Sequence, residues 1–413
     1  MIVKDTPNIR FKGFVGDWEQ RKLGEYCEMY NGDRSSKYPN AQDMVSKGIP
    51  FINAGDLEDG CVNLTTANKI TREKYDDLSG AKLQFGDIVY CLRGTLGKNA
   101  YIDNFNEGTV ASSLVAIRPR NIDGRYLFHV LNSDIEYRQR IVHDEGAAQP
   151  NLSAKNVSGF IIPIPDIDEQ KKISSCLDNL NTLITLHQHK HNDIIELKRF
   201  MLQKMFPQNC QKVPELRFAG FTGDWELRKL GEIAGRTYGG GTPKTNITEY
   251  WDGHIPWIQS SNLMEHELFS SDIQKYITDE GLAKSATQLV PPNSIAVVSH
   301  VGVGKLVFMP FKYTTSQDFI SLSELKAEPI FTCYSIYKRL QNDIHIVQGS
   351  AIKGITKDDL LSKEILLPSE PEQTKIGMYF CKLDHLITLH RRKCNALKEV
   401  KKFMLQNMFP QKG

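Results

Sequence analysis

This chain of 413 residues is built from two copies of one unit. Residues 10–25 (RFKGFVGDWEQRKLGE) reappear at 217–232 as RFAGFTGDWELRKLGE, an offset of 207. A second block, 199–208 (RFMLQKMFPQ), returns at 402–411 as KFMLQNMFPQ, an offset of 203. Such a repeat constrains architecture more than any isolated motif, because both copies must adopt one fold. The offset falls by four between the two blocks, so the copies differ in length only inside the stretch that the blocks enclose, where similarity is faint. A shared frame around a divergent interior implies one function in common and one that has changed.

Each copy closes on a helical pattern. Ile173, Leu177, Leu180, Ile184, His187, His191, Ile194, Lys198, Met201 and Met205 follow one another in steps of four and three. The second copy reads Ile376, Phe380, Leu383, Ile387, His390, Cys394, Leu397, Lys401, Met404 and Met408. This period predicts heptad seams of a coiled coil on helices of roughly 40 residues, each about 60 Å long. Asp166 with Glu169, and Ser369 with Glu372, have capping-box spacing, and Pro207 and Pro410 stop the helices. Tandem copies bury their seams most simply against each other about a pseudo-twofold axis, which makes the helices antiparallel. His187 and His191 then meet His390 and Cys394. Three histidines and a cysteine could make a tetrahedral zinc site; the reading preferred here is a buried polar layer that fixes register, with no metal assigned.

The interiors read differently. Short β-rich runs such as Ile49–Asn53, Asp87–Leu92, Ile255–Ile258 and Ile295–Ser299 alternate with Gly, Asn and Asp turns, which predicts compact α+β domains. The expected division is 1–165 and 211–368 for the domains, with 166–210 and 369–413 for the helices. Basic and acidic residues balance, 19 to 20 over 10–160 and 15 to 17 over 217–368, so binding through indiscriminate positive charge is not expected of either. Eight scattered cysteines without a C-x-x-C pair are expected to be free thiols. The absence of a long apolar run and of a signal-peptide core predicts a cytoplasmic protein with no membrane contact.

Over essentially its whole length the chain resembles the specificity subunit of type I restriction-modification enzymes. The passages that carry the resemblance are Tyr238-Gly-Gly-Gly-Thr-Pro243, Glu249-Tyr-Trp-Asp-Gly-His-Ile-Pro-Trp257, Ile277-Thr-Asp-Glu-Gly281, the strands ending in Gly97-Lys98 and Gly304-Lys305, and the Leu-Gln-x-Met-Phe-Pro-Gln that closes both units. The resemblance implies two target-recognition domains, each reading half of a bipartite double-stranded DNA site. It also implies that the long helices set the gap and dock modification (methyltransferase) subunits, expected to be two, alongside restriction/translocase subunits. S-adenosylmethionine, ATP and Mg would belong to those partners, with no cofactor in this chain. The copies depart from each other where the first has Asn31-Gly-Asp-Arg-Ser-Ser36 against the glycine loop of the second, and Arg93-Gly94 against His300-Val301.

Candidate DNA contacts follow from side-chain chemistry. In the first copy they are Ser35, Ser36 and Lys37 of the divergent loop, Asn53, Arg93 and Lys98; in the second, Gly240, Thr242, Lys244, Gln259, His300, Lys305 and Gln317. Arg93 suits a bidentate contact to guanine, and Asn53, Gln259 or Gln317 one to adenine. Lys98 and Lys305 beside glycines suit phosphates, and the glycine loop would let backbone N–H groups approach them, although Gly239–Gly241 also reads as a plain turn. Trp18 and Trp225, in the repeated Gly-Asp-Trp segments, read as packing anchors. The expected seam centres on Leu177, Leu180, Ile184, His187, Phe380, Leu383, Ile387 and His390. No catalytic motif is present: Gly97-Lys98 and Gly304-Lys305 lack the upstream glycine and following Ser/Thr of a phosphate-binding loop, and no nucleophile elbow, H-E-x-x-H or amino-methyltransferase signature occurs. A non-catalytic DNA-reading subunit is therefore expected; the alternatives are a self-sufficient DNA-binding regulator and an enzyme with an unrecognised site.

Overall fold

The computed structural model describes residues 6–143, 151–208, 211–264, 267–346 and 354–410. It divides into two compact units, Met1–Leu186 with Lys393–Gly413, and His187–Arg392. The cut falls inside both long helices.

In the first unit a four-stranded antiparallel sheet runs in the order Cys27–Asn31, Leu114–Pro119, Ile88–Cys91, Asn99–Tyr101. The run Ile88–Cys91 is wholly buried because both faces of the sheet are covered. Successive strand residues point to opposite faces: Ile88, Tyr90 and Leu92 enter one apolar cluster and Val89 and Cys91 another. The second unit repeats the sheet as Ala234–Gly239, Phe319–Leu325, Ser294–Val298, Leu306–Met309. There Ile295 and Val297 face one cluster and Ala296 and Val298 the other.

Each unit adds a three-stranded sheet around one long strand, Met44–Ile52 or Trp251–Ile258, whose end pairs in parallel with a two-residue strand. The registers correspond, Phe51 with Thr109 and Ile52 with Val110 in one, Trp257 with Thr314 and Ile258 with Thr315 in the other. The copies differ beyond the sheets, since the single helix Pro329–Ile346 stands where the first unit has Gly124–Val130 and Asp134–His143.

The long helices are Ile167–Lys204 and Glu370–Asn407, 38 residues each. Within the second unit the Lys198 ammonium meets Asp384 at 2.5 Å and His187 meets His390 at 2.9 Å, so rising numbers on one helix face falling numbers on the other. The segments are antiparallel. Of the expected seam, Leu177, Phe380, Leu383 and Ile387 are buried, and Leu180, Ile184, His187 and His390 are half-buried. The two Nδ1 atoms of His187 and His390 share one hydrogen bond, which requires a donor on one ring and a bare nitrogen on the other. His191 turns instead to its neighbour Asn192. Among the described residues no group of three His, Cys, Asp or Glu side chains could hold a metal ion.

The repeated blocks pack on each other. Phe206, from the closing segment of the first copy, meets Trp225 edge-on at 5.9 Å in the second unit, and Phe409 meets Trp18 at 6.4 Å in the first. Trp18 and Trp225 are buried. Aromatic pairs of this size dominate a local core, so the Gly-Asp-Trp and Met-Phe-Pro blocks persist together as the two halves of one contact.

The capping-box expectation is corrected. Glu169 and Glu372 are fully buried, and their carboxylates take both hydrogen bonds of a guanidinium: Arg10 to Glu169 at 2.7 and 2.8 Å, Arg217 to Glu372 at 2.7 Å twice. A buried carboxylate without a cation is costly, and the repeated Arg-Phe segment supplies the cation. The same arginines donate to the Gly16 and Gly223 carbonyls, which ties down the turns before each tryptophan. The seven cysteines described are free, and Cys210 lies outside the described residues.

Candidate nucleic-acid interface

In the second unit the loops that carry the candidates converge on Thr315–Asp318, the segment linking the parallel strand to the main sheet. Three backbone bonds fasten it: Ser316 N to Ile258 O at 2.8 Å, Gly241 N to Thr315 O at 2.8 Å, and Ser299 N to Asp318 O at 2.6 Å. Ile258 precedes Gln259, Gly241 precedes Thr242 and Ser299 precedes His300. Three loops far apart in sequence therefore deliver Thr242, Gln259 and His300 around Gln317. The Thr242 hydroxyl donates to Gln317 Oε1 at 2.6 Å, Gln259 Nε2 donates to Ser261 Oγ at 2.9 Å, and His300 Nδ1 lies 2.9 Å from Ser299 Oγ.

The first unit builds the same frame. Ala111 N bonds Ile52 O and Leu92 N bonds Ser113 O, both at 2.8 Å, the counterparts of the Ser316 and Ser299 bonds. A Cβ added at Gly32 would lie 2.2 Å from Ala111 O, as one at Gly240 would lie 1.7 Å from Ser316 O. Only glycine allows either approach. Around this frame stand Asn53 and Arg93, whose Nε donates to Asn151 Oδ1 at 3.1 Å. Arg34 and Ser112 are the positions that sequence reasoning passed over. Arg34 Nη2 donates to Ser112 O at 3.3 Å, where the other unit joins Thr242 to Gln317. The signal was present in the alignment of the divergent loop with the glycine loop, but it needs the partner residue 78 positions away.

Other candidates are held by the protein itself. The loop of Ser35, Ser36 and Lys37 is pinned by buried Asp33, which accepts from Ser35 Oγ and N at 2.6 and 2.7 Å and from Ser79 N at 2.8 Å. The Ser35 hydroxyl foremost, with these N–H groups and against the cost of burial, holds the Asp33 carboxyl well below the usual carboxylate range. Lys37 is paired with Asp77, and Ser36 is exposed in the same turn. Lys98 donates to Ala54 O at 3.0 Å and Lys305 to Leu263 O at 3.2 Å, so each lysine ties its glycine turn to the loop after the long strand. Asn53 and Gln259 open the equivalent loops, where the Asp56 and Asn262 side chains accept from their backbone N–H groups at 2.8 Å.

In the glycine loop the Gly239 N–H goes to Gln288 Oε1 at 3.1 Å and the Gly241 N–H to Thr315 O, so these two donors are spent inside the protein. Gly240 is required by close packing, and Lys244 is exposed at the loop's far end. No helix among the described residues is long and apolar enough to cross a membrane.

Residues 16–196 and 222–399 match the family described as Type I restriction modification DNA specificity domain. A protein of Methanocaldococcus jannaschii named as a type I restriction enzyme specificity subunit is 22% identical over 412 residues, which covers 94% of this chain and 91% of that protein. An Escherichia coli type I restriction enzyme specificity subunit is 32% identical over 176 residues, 40% of this chain and 42% of its own length. Among solved structures, the S subunit of a type I restriction-modification system from M. genitalium superposes with a TM-score of 0.68 at 13% identity, over 99% of this chain and 100% of that one.

Proposed function

The chain belongs to the type I restriction-modification DNA specificity family, and from that premise we propose that each unit reads one half of a bipartite double-stranded DNA site. The observation that carries this reading is the pair of equivalent frames with unlike side chains. The backbone bonds at Ala111 and Leu92 recur at Ser316 and Ser299, while Asn53 and Arg93 give way to Gln259 and His300. A common scaffold with altered hydrogen-bonding groups is what two readers of different sequences require. Arg93, Asn53, Gln259, His300 and Gln317 are the proposed base contacts, and exposed Lys244 suits a phosphate. Lys98 and Lys305 align the turns, keeping two of three ammonium donors each for a phosphate.

The chain is the non-catalytic specificity component; methyl transfer, with S-adenosylmethionine, and ATP- and Mg-dependent work belong to partner subunits. The long helices form the coiled-coil spacer and the docking surface for modification subunits. Exposed apolar residues recur at matched positions, Leu183 and Leu386, Leu186 and Leu389, Leu197 and Val400, Phe200 and Phe403, between 36% and 54% exposed. Repetition in both copies supports two equivalent partners, because single exposed apolar residues are ordinary and matched sets are not. Copurification tests the reading. Tight sequence-specific binding is expected only with modification subunits present; tight specific binding by the isolated chain would favour a self-sufficient regulator.

A further inference from the structure

We infer that the Arg34–Ser112 and Thr242–Gln317 pairs are corresponding base readers of opposite preference, the first for guanine and the second for adenine. The inference rests on the DNA-reading function proposed above and assigns chemistry to one position in each unit. Correspondence comes from the backbone. Arg34 follows Gly32 by two residues and Thr242 follows Gly240 by two, and the two glycines abut the carbonyls of Ala111 and Ser316, equivalent positions in the segment that links the parallel strand to the main sheet. Ser112 and Gln317 are the next residues along that segment, and each is bonded across the gap to its loop partner.

The bonds decide what each pair presents. Arg34 is exposed and spends one Nη2 hydrogen on the Ser112 carbonyl, which steadies the fork and leaves its other N–H groups outward. Two parallel N–H donors match O6 and N7 of guanine in the major groove. In the second unit the Thr242 hydroxyl donates to Gln317 Oε1, which fixes the amide's orientation and occupies one of the two lone pairs of that oxygen. The second lone pair and the Nε2 hydrogens remain, an acceptor beside a donor, the pattern that takes N6–H and N7 of adenine. Gln317 is exposed. Threonine in place of arginine removes the cation from the position, so the second reader carries no permanent charge there.

The test uses the complete complex in cells and sequences the methylated motif. Arg34→Ala is expected to lower preference for guanine roughly 5- to 150-fold at one position of one half-motif, and Gln317→Ala to do the same for adenine in the other. Arg34→Lys keeps the charge and loses the fork, so it should fail to restore the guanine. A uniform loss of methylation at all sites in Arg34→Ala, rescued by Arg34→Lys, would make Arg34 a phosphate contact and overturn the inference. So would an unchanged motif in both alanine variants. If neither half of the wild-type motif contains a G·C pair, the Arg34 assignment fails without any variant. Failure of the underlying function is separate: wild-type chain with its partners would then leave no bipartite methylated motif.

Discussion

Arg10→Ala and Arg217→Ala should each cost about 3–5 kcal/mol, confined to one unit. The magnitude follows from burial. Glu169 and Glu372 have no exposed side-chain surface, their arginines are 17% and 14% exposed, and both pairs are bidentate. Removing the guanidinium leaves a carboxylate that the fold otherwise shields from water without its cation, and it also frees the Gly16 or Gly223 carbonyl. Because a chain with two compact units is not a two-state system, amide hydrogen exchange is the proper assay. At 1.36 kcal/mol per decade, exchange in the core of the first unit should accelerate about a hundredfold to several thousandfold in Arg10→Ala, with the second unit unchanged. Arg217→Ala should do the reverse. Replacing both members by apolar side chains, as in Arg10→Met with Glu169→Met, should recover most of the loss, since the penalty comes from the orphaned charge. Acceleration below tenfold in both single variants would refute the argument that the repeated arginine segment exists to neutralise a buried helix-start carboxylate.

The helix contacts grade two further substitutions: Leu383, 7% exposed in the aromatic cluster of the second unit, should cost about 2–5 kcal/mol when changed to alanine, and half-buried Leu180 less. Unit-resolved exchange gives both values, and equal costs would contradict the packing. His129 is buried against Asp178 at 2.8 Å, and burial, outweighing that carboxylate, pulls its pKa below the usual histidine value. A base depressed in the folded state gives stability that is present above pH ~6.5 and lost as pH falls through the folded pKa. Exchange in the first unit should therefore quicken on acidification below that pH and do so less in His129→Gln; identical pH profiles would exclude the histidine as the cause.

Much of the architecture is legible in local pattern. The repeat shows that the architecture is duplicated, the four-three spacing defines helices whose observed starts lie within one residue of Asp166 and Ser369, and short β-rich runs between Gly, Asn and Asp turns mark the strands. What escapes local reading depends on distant partners. Glu169 has the spacing of a capping residue, yet its partner Arg10 lies 159 positions earlier. Lys98 beside Gly97 looks alike whether it faces a phosphate or, as found, the Ala54 carbonyl. Gly239–Gly241 reads as an anion loop or a plain turn, and the distant partners Gln288 and Thr315 are what show that two of its three N–H groups are already bonded. Arg34 gains meaning only once Ser112 is known to sit beside it.

The claim that two independent readers share one scaffold is tested most directly by exchanging a single reader. Residues 26–160 are replaced by the corresponding domain of another family member, the repeated blocks are left intact, and the methylated motif is sequenced in cells that supply the partner subunits. The account predicts a bipartite motif in which one half changes and the other is retained base for base. A change in both halves together, from an active complex, would contradict it.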